Sequence, residues 1–294
     1  MDIVQLQDGE TRVSLLSYGA RTQDWVIPSD KGPRSVILGH SDPDDYRRDP
    51  YFLGAIVGRV ANRIGDAAYG GHRLVANDGK HQLHGGPGGL WAVDWRLEAD
   101  GERRARWSYR SPAGEMGFPG TVDISVTVTL AATTLTYDMQ AQPDCETPIS
   151  LAQHNYYRLG PAPMARIQAD RRLERDGAGI MTGAILPAGT LDLRTGAAMP
   201  READDFLLFD EARDPDMPVA DLNGDGLRLR LWSDQPGAQL YSGHGLGAPF
   251  APRAGLCLEP SGYPNAVNIP AFPSIMASPD RPYRQILRVA VEAS

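Results

Sequence analysis

The sequence has few of the residues that mark several common classes of protein. Of its 294 residues only two are cysteines, Cys145 and Cys257, and Cys257 lies within an apolar run. Two cysteines are too few for a disulfide framework, and the setting of Cys257 is that of a small core residue. No apolar stretch approaches the length that a membrane-spanning helix needs. The sequence therefore excludes a disulfide scaffold and predicts no membrane helix.

An excess of positive charge is also missing. The formal net charge is -8 at pH 7, with 29 Lys and Arg against 37 Asp and Glu. A nucleic-acid-binding surface needs a basic face, so we expect no nucleic-acid partner. The residues after Met1 lack the basic start and apolar core of a signal peptide. We expect a soluble cytoplasmic protein without membrane contact.

Alternation of apolar and polar residues predicts the fold class. In residues 122–130 every second residue is apolar, and Asp, Ser and Thr fill the positions between them. Residues 105–110, 135–142 and 227–232 repeat this pattern, which is typical of strands with one buried face. Helical periodicity is scarce, with one short turn expected over residues 42–48. The pattern predicts a single antiparallel all-β domain over residues 1–294, either a sandwich or a barrel.

A short apolar run, residues 256–258, leads directly into a single carboxylate, Glu259. If a strand delivers this carboxylate from an apolar wall, burial raises its pKa and makes it a usable proton acceptor. The alternative is a glutamate on an edge strand that faces water. Two histidine motifs favour the first interpretation, because each could converge with Glu259.

The first of these histidines is His84, which is followed by Gly85 and Gly86. The surrounding glycines do not form a phosphate-binding motif, since both the required spacing and the terminal Lys are absent. We expect them to keep the backbone thin, so that a ligand can approach the imidazole. A structural role for His84 is the alternative.

The second histidine is His154. On a strand, alternation places His154 and Tyr156 on one face, and Gln153, Asn155 and Tyr157 on the other. A histidine with a pKa near neutrality can give or take a proton at working pH. The alternative is a core histidine packed among aromatic residues.

Two further segments are informative. The side chains of Asn62 and Arg63 are good hydroxyl-binding groups. Adjacent residues on an extended chain point to opposite sides, so both can face one ligand only if the chain bends. The alternative for Arg63 is a surface ion pair.

Residues 221–226 imitate the start of a calcium-binding loop, but Trp232 stands where that loop needs its glutamate. We predict a hairpin turn there, without calcium.

Taken together, these motifs resemble the aldose 1-epimerase (mutarotase) family. The matching segments follow the family's order: 58–64 (G-R-x-x-N-R-I), 83–86 (L-H-G-G), 117–120 (G-F-P-G), 151–159 (around His154), 235–243 (Q-P-G-x-Q-x-Y-x-G) and 258–268 (L-E-P-x-x-x-P-N-A-x-N). The resemblance implies a large antiparallel β-sandwich in which Glu259 is the catalytic base and His154 the acid. It makes His84 a second active-site histidine. It assigns sugar binding to Asn62, Arg63, Asp204 and Gln239.

The function implied by the resemblance is interconversion of the α and β anomers of a free aldose by acid–base ring opening and closing. No metal or cofactor is implied, and the chain is expected to be a monomer or homodimer. We further hypothesise that Trp91 or Tyr157 covers an apolar face of the sugar. Three departures from the family pattern leave the preferred sugar open: Asp205 replaces a histidine, His244 an asparagine and Ala152 a threonine.

Other functions are compatible with the same residues. His84, His154 and Glu259 have the ligand types of a zinc site, although the H-E-x-x-H motif is absent. Glu259 with Asp204 or another carboxylate could form the carboxylate pair of a glycosidase. A catalytically silent carbohydrate-binding protein on the same fold is a third alternative, because fold does not imply function. A sugar-phosphate epimerase would need a tighter basic cluster.

Overall fold

The computed structural model describes residues 1–293, which form strands joined by turns and six short 3₁₀ helices. None of the helices in this part of the chain is long and apolar enough to cross a membrane. The 3₁₀ helices are Pro43–Arg48, Gly65–Ala67, Leu90–Ala92, Glu115–Gly117, Gly189–Leu191 and Ala266–Asn268. The first of them confirms the helical turn predicted near residue 42.

The strands are numbered in chain order. They are β1 (Ile3–Asp8), β2 (Thr11–Leu16), β3 (Arg21–Ile27), β4 (Arg34–Ser35), β5 (Ile56–Val57), β6 (Arg63–Ile64), β7 (Ala68–Tyr69), β8 (His72–Arg73), β9 (Gln82–Leu83), β10 (Arg96–Ala99), β11 (Arg104–Ser111), β12 (Val122–Ala131), β13 (Thr134–Pro143), β14 (Thr147–Pro148), β15 (Ala152–Gln153), β16 (Met164–Ile167), β17 (Ala169–Arg175), β18 (Met181–Pro187), β19 (Ala197–Ala198), β20 (Asp204–Phe209), β21 (Ala220–Gly224), β22 (Leu227–Ser233), β23 (Gly237–Tyr241), β24 (Cys257–Ser261), β25 (Met276–Ala277) and β26 (Tyr283–Ala293).

Three sheets carry the architecture. The largest has nine strands in the order β10-β11-β12-β13-β26-β22-β21-β16-β19, so the last strand of the chain lies at its centre. A five-stranded sheet has the order β18-β17-β20-β23-β24, and a four-stranded sheet contains β1 to β4. All strand pairs within these sheets are antiparallel. The remaining strands form four two-stranded sheets.

The sheets face one another across a shared core. Trp25 of the four-stranded sheet, Val126 and Leu287 of the nine-stranded sheet and Leu207 of the five-stranded sheet belong to one buried cluster. Each such side chain contributes roughly 1.5–3 kcal/mol by leaving water. The alternation predicted for residues 122–130 is present in β12, where residues at even positions are buried. The predicted all-β antiparallel sandwich is confirmed.

The predicted turn near residue 225 is also confirmed. Asp225 and Gly226 connect β21 to β22 with φ values of 49° and 66°. Positive φ at both central residues is the requirement of a two-residue type I′ turn, and Asp-Gly is among its preferred sequences. The segment is therefore a hairpin connection.

Candidate active site

One pocket of about 240 Å³ lies beside β23 and β24 of the five-stranded sheet. Pockets for drug-sized ligands have volumes of roughly 300–1,000 Å³, so this smaller pocket suits a ligand the size of one sugar ring. The side chains that line it are Pro50, Tyr51, Phe52, Asn62, Arg63, Leu83, His84, His154, Tyr156, Asp204, Gln239, Tyr241 and Glu259. All seven residues predicted for the site from the sequence are among them.

Glu259 projects from β24, the edge strand of the five-stranded sheet, directly opposite Gln239 of β23. In spite of the edge position its side chain is buried, with 4% of the residue exposed. Burial raises the pKa of Glu259 well above its ordinary value, and the nearby carboxylate of Asp204 raises it further. The alternative of a water-facing glutamate is wrong.

His154 directly follows the short strand β15. Its backbone N–H donates to the carbonyl of Ala55, and its own carbonyl accepts from the N–H of Gly54. These bonds place the imidazole Nε2 3.5 Å from Oε2 of Glu259. Burial lowers the pKa of His154 to about 4. The neutral imidazole is therefore the favoured form in the unliganded pocket, whereas the role of acid that the resemblance implies for His154 needs a proton to give.

The faces predicted for residues 153–157 are confirmed. His154 and Tyr156 line the pocket. On the other side, Asn155 bonds to the hydroxyl of Tyr137, and Tyr157 belongs to the main core. The expectation that Tyr157 covers the sugar is wrong for this reason.

His84 faces His154 across the pocket, with ring centroids 5.3 Å apart. Its Nδ1 accepts a hydrogen bond of 3.2 Å from the backbone N–H of Asn62. In a neutral imidazole one nitrogen accepts and the other carries the proton, so Nε2 of His84 is a donor. Burial lowers the pKa of His84 well below its ordinary value, with smaller effects from His154 and Arg63.

The glycines after His84 have a different role from the predicted one. A Cβ on Gly85 would lie 1.8 Å from the carbonyl oxygen of Gly58. Gly85 also has a φ of 83°, a conformation that favours glycine. The close approach of two backbone segments, and not access for a ligand, explains this glycine.

A chain of hydrogen bonds runs along one wall of the pocket. Nδ2 of Asn62 donates to Oε1 of Gln239 over 2.9 Å, and Nε2 of Gln239 donates to Oδ1 of Asp204 over 2.7 Å. The other oxygen of Asp204 lies 3.5 Å from the guanidinium of Arg175. Asp205 does not line the pocket and pairs with Arg172. Asp204 is thus the aspartate that faces the site.

A bend brings Asn62 and Arg63 to the same pocket. Asn62 has a φ of 61°, a left-handed conformation that asparagine tolerates better than most residues. This conformation removes the conflict expected for neighbouring residues on an extended chain. Nε of Arg63 also donates to Asp78 over 2.6 Å, which holds the guanidinium at the pocket wall.

Sequence reasoning did not identify most of the aromatic lining. Phe52 lies against both histidines, with ring centroids 4.7 Å from His84 and 5.7 Å from His154. Trp91, the other aromatic residue suggested for the sugar, packs edge-on to Phe52 and does not line the pocket. The sequence held one usable signal, since alternation placed Tyr156 on the face of His154.

Two departures from the family pattern lie outside the pocket lining. Ala152 is buried in a small apolar cluster with Ala55 and Val57. His244 is half-buried, and its Nδ1 lies 2.9 Å from the hydroxyl of Ser242. Neither residue contacts the pocket directly.

The pocket also contains the three residues considered as a zinc site. Ligand atoms of His84, His154 and Glu259 all lie within 4.8 Å of one another. A metal ligand must present a lone pair, but Nδ1 of His84 already accepts the N–H of Asn62, which leaves the proton on Nε2. The donor set therefore fits a metal poorly and fits hydrogen bonding to a polar ligand well.

Comparison with known proteins agrees with this geometry. The sequence model of the aldose 1-epimerase family matches residues 2–290 of this chain. Galactose mutarotase of Sus scrofa is 33% identical over 313 residues, covering 95% of this chain and 90% of that protein. Aldose 1-epimerase of Escherichia coli K12 is 31% identical over 301 residues, covering 89% of this chain and 86% of that protein.

A solved structure of an aldose epimerase homologue from C. elegans has the same fold. Its TM-score is 0.93 at 23% identity, and the match covers 99% of both chains. Galactose 1-epimerase from Lactobacillus acidophilus aligns with a TM-score of 0.85 at 23% identity, covering 100% of this chain and 96% of that one. From the family match and the identity to its relatives, the chain belongs to the aldose 1-epimerase family and is a carbohydrate epimerase.

Proposed function

We propose that this pocket binds one free aldose and that Glu259 and His154 exchange protons with it, so that the α and β anomers interconvert. The observation that carries the proposal is the placement of a buried carboxylate and a buried imidazole 3.5 Å apart in one sugar-sized pocket. The polar wall around them offers hydrogen bonds to several hydroxyl groups.

The reaction needs one proton acceptor and one proton donor. Glu259 as a carboxylate takes the proton from the hydroxyl on C1, while His154 as an imidazolium protonates the ring oxygen. The ring opens to the aldehyde and the C1–C2 bond rotates. As the ring closes on the other face, Glu259 gives its proton to the aldehyde oxygen and His154 takes a proton back from the hydroxyl that attacks C1. Positioned acid–base groups of this kind contribute roughly 100- to 10,000-fold each.

The protonation states fit this sequence of steps. An ion pair of Glu259 and His154 has the same number of protons as a carboxylic acid beside a neutral imidazole. Ring opening converts the first pair into the second. Burial favours the neutral form of both residues, so it favours the stage at which the sugar is open. While the sugar ring is closed, its hydroxyl groups form hydrogen bonds with the ion pair. These bonds replace part of the hydration that Glu259 and His154 lose by burial.

The remaining polar residues position the sugar. His84 stays neutral and donates from Nε2, which makes it a hydrogen-bond donor and not a proton source. Asp204 accepts hydrogen bonds from hydroxyl groups, while Arg63 donates to them. Asn62 and Gln239 are held by each other and by Asp204, so they present fixed amide groups to the ligand.

The finer points of the proposal concern the sugar and the assembly. Relatives bear the name galactose mutarotase, so galactose is our first candidate, ahead of glucose, xylose and arabinose. We treat residues 1–294 as one domain because the main core combines residues from Leu6 to Val291. A monomer or homodimer in the cytoplasm is the expected state.

The test is anomer exchange measured by NMR on these four sugars. Wild-type protein should accelerate exchange, and Glu259→Gln should lower the accelerated rate by roughly 100- to 10,000-fold, because an amide cannot take the proton. Glu211→Gln is the matched control, since that side chain is 87% exposed and does not line the pocket.

Each rival function has its own outcome. Sugar binding without faster exchange would identify a silent carbohydrate-binding protein. Release of the sugar from an aryl glycoside would identify a glycosidase. Equal exchange rates for wild type and Glu259→Gln would remove Glu259 from the mechanism.

A further inference from the structure

An arginine that does not line the pocket lies against the carboxylate of Asp204. Arg175 is the last residue of β17, and Asp204 is the first residue of β20. The pairing of Arg172 with Leu207 fixes the register of these two antiparallel strands. Continued by three residues, this register places Arg175 directly opposite Asp204, and opposite charges in such a pair stabilise a sheet. The guanidinium of Arg175 lies 3.5 Å from Oδ2 of Asp204.

The hydrogen bonds of the polar wall all point toward Asp204. The backbone N–H of Arg63 donates to Oδ1 of Asn62 over 2.7 Å, which fixes the orientation of that amide. Asn62 therefore donates to Gln239 from its NH₂ group, and Gln239 donates to Oδ1 of Asp204 in the same way. The last group of this chain must accept. An ionised carboxylate is a pure acceptor, whereas a protonated one presents an O–H donor, so the wall requires Asp204 in its charged form.

The charge of Asp204 acts against Glu259. Burial raises the pKa of Glu259, and the carboxylate of Asp204 raises it further. The proposed reaction needs Glu259 as a carboxylate when the sugar ring is closed, so a second negative charge in the pocket opposes the first step. A positive charge beside Asp204 reduces this repulsion without occupying the pocket. Arg175 is in that position, with 36% of its side chain exposed.

Other titratable groups face the two carboxylates. They are His84, His154, Tyr156, Tyr157, Tyr241 and Cys257. Burial favours the neutral form of all six. Arg63 also lines the pocket, but its guanidinium donates to Asp78. Within residues 1–293 the salt bridge of Asp204 is the one with Arg175, whose guanidinium is permanently charged.

We propose that Arg175 is a positioning residue for the reaction: its guanidinium holds Asp204 as a charged acceptor at the end of the polar wall and offsets the negative charge that Asp204 places near Glu259. This inference rests on the proposed function. Arg175 acts through Asp204 and does not contact the sugar.

The neighbouring ion pair on the same two strands provides a matched control. Arg172 lies 3.1 Å from Asp205, and 29% of its side chain is exposed, close to the value for Arg175. Asp205 directly follows Asp204 on β20, so the two carboxylates project from opposite faces of the sheet. Arg172→Gln thus removes an arginine and an ion pair from β17 but leaves the charges at the pocket unchanged.

The test compares Arg175→Gln and Arg175→Met, which remove the charge, with Arg175→Lys, which keeps it, and with Arg172→Gln. Anomer exchange of galactose gives KM, kcat and the dependence of kcat/KM on pH. The protonation of Glu259 is followed separately, without sugar, by the ¹³C shift of its carboxyl group. The signal of Glu259 is identified by its absence from Glu259→Gln.

Arg175→Gln and Arg175→Met should raise KM about fivefold, the upper range for a partly exposed ion pair, and change kcat at its pH optimum less. Both limbs of the kcat/KM profile, and the pH midpoint of Glu259, should move upward by about 0.5 pH unit. The direction is upward because the loss of a positive charge favours every protonated form nearby. Arg175→Lys should keep the midpoint of wild type, and Arg172→Gln should keep both the midpoint and KM.

A lower activity with an unchanged Glu259 midpoint in both charge-free variants would indicate a purely structural role and overturn the proposal. An equal shift of the midpoint in Arg172→Gln would also overturn it, because the effect would then belong to any nearby surface charge. If wild type accelerates exchange of no sugar, the proposed function fails, whereas the titration of Glu259 without sugar still decides the role of Arg175.

Discussion

At the scale of single residues, burial ties the stability of the protein to the charge of His154. The pKa of this histidine is about 4 in the folded protein, against an ordinary value of 6.5. Between these two values the unfolded chain binds a proton that the folded protein does not, so stability falls as the pH falls. The free energy of unfolding is therefore not reduced by protonation of His154 above pH 6.5. It falls progressively as the pH decreases from 6.5 toward 4.

This gives a prediction for His154→Gln, a variant that does not titrate. Between pH 7 and pH 4.5, wild type should lose about 2 kcal/mol more unfolding free energy than the variant, by the linkage relation. Urea unfolding at both pH values measures the difference. Carboxylates and His84 titrate in both proteins and largely cancel. An equal loss in the two proteins would mean that folding does not lower the pKa of His154.

The identities of the polar site residues could be predicted from sequence, but their states and neighbours could not. Glu259, His154 and Asp204 are recognisable because their chemistry and motifs are local. The neutral form of His154 depends on burial by Phe52 and other residues distant in the chain. The hypothesis that Trp91 or Tyr157 covers the sugar conflicts, for Tyr157, with the alternation that places it on the opposite face from His154.

At the scale of elements, the loop that carries Tyr51 and Phe52 is held by a buried ion pair. Arg21 of β3 donates to Oδ2 of Asp49 over 2.8 Å, and both side chains are fully buried. The same carboxylate accepts the backbone N–H groups of Tyr51 and Leu53 at 3.0 and 2.7 Å. The ion pair therefore fixes the loop that presses Phe52 against the two histidines.

Asp49→Asn should consequently destabilise the protein by about 3–5 kcal/mol, because Arg21 would remain buried without a compensating charge. Asp225→Asn is the control, since Asp225 pairs with Arg34 at the surface and asparagine suits its turn. That change should cost less than about 1 kcal/mol. Denaturant unfolding of both variants gives the comparison, and equal small losses would show that the buried pair does not hold the loop.

The elements differ in how well the sequence predicts them. The long strands β12, β13 and β22 were evident because each presents one face to the core and one to water. The site depends more on two-residue strands such as β5 and β15, which are too short to show any periodicity. Their positions follow from hydrogen bonds to distant segments, as between Ala152 and Val57, and these contacts cannot be read from local sequence.

At the scale of the whole molecule, the last strand of the chain occupies the centre of the largest sheet. β26 lies between β13 and β22, so the nine-stranded sheet is incomplete until the end of the chain has paired. Leu287 of this strand is fully buried and belongs to the core cluster that the three large sheets share. The neighbouring Ile286 points to the other face and is 37% exposed.

Substitution of these two neighbours tests whether that core holds the sandwich together. Leu287→Ala should lower the free energy of unfolding by about 2–5 kcal/mol, since it removes apolar contacts and leaves a cavity between sheets. Ile286→Ala changes a residue of the same size on the same strand and should cost less than about 1 kcal/mol, because that face is partly in water. Urea denaturation of both variants measures the two losses. Similar losses of unfolding free energy at both positions would contradict the conclusion that only one face of β26 packs into the core. A large loss confined to Leu287 would show that the strand at the centre of the largest sheet stabilises the fold through its buried face.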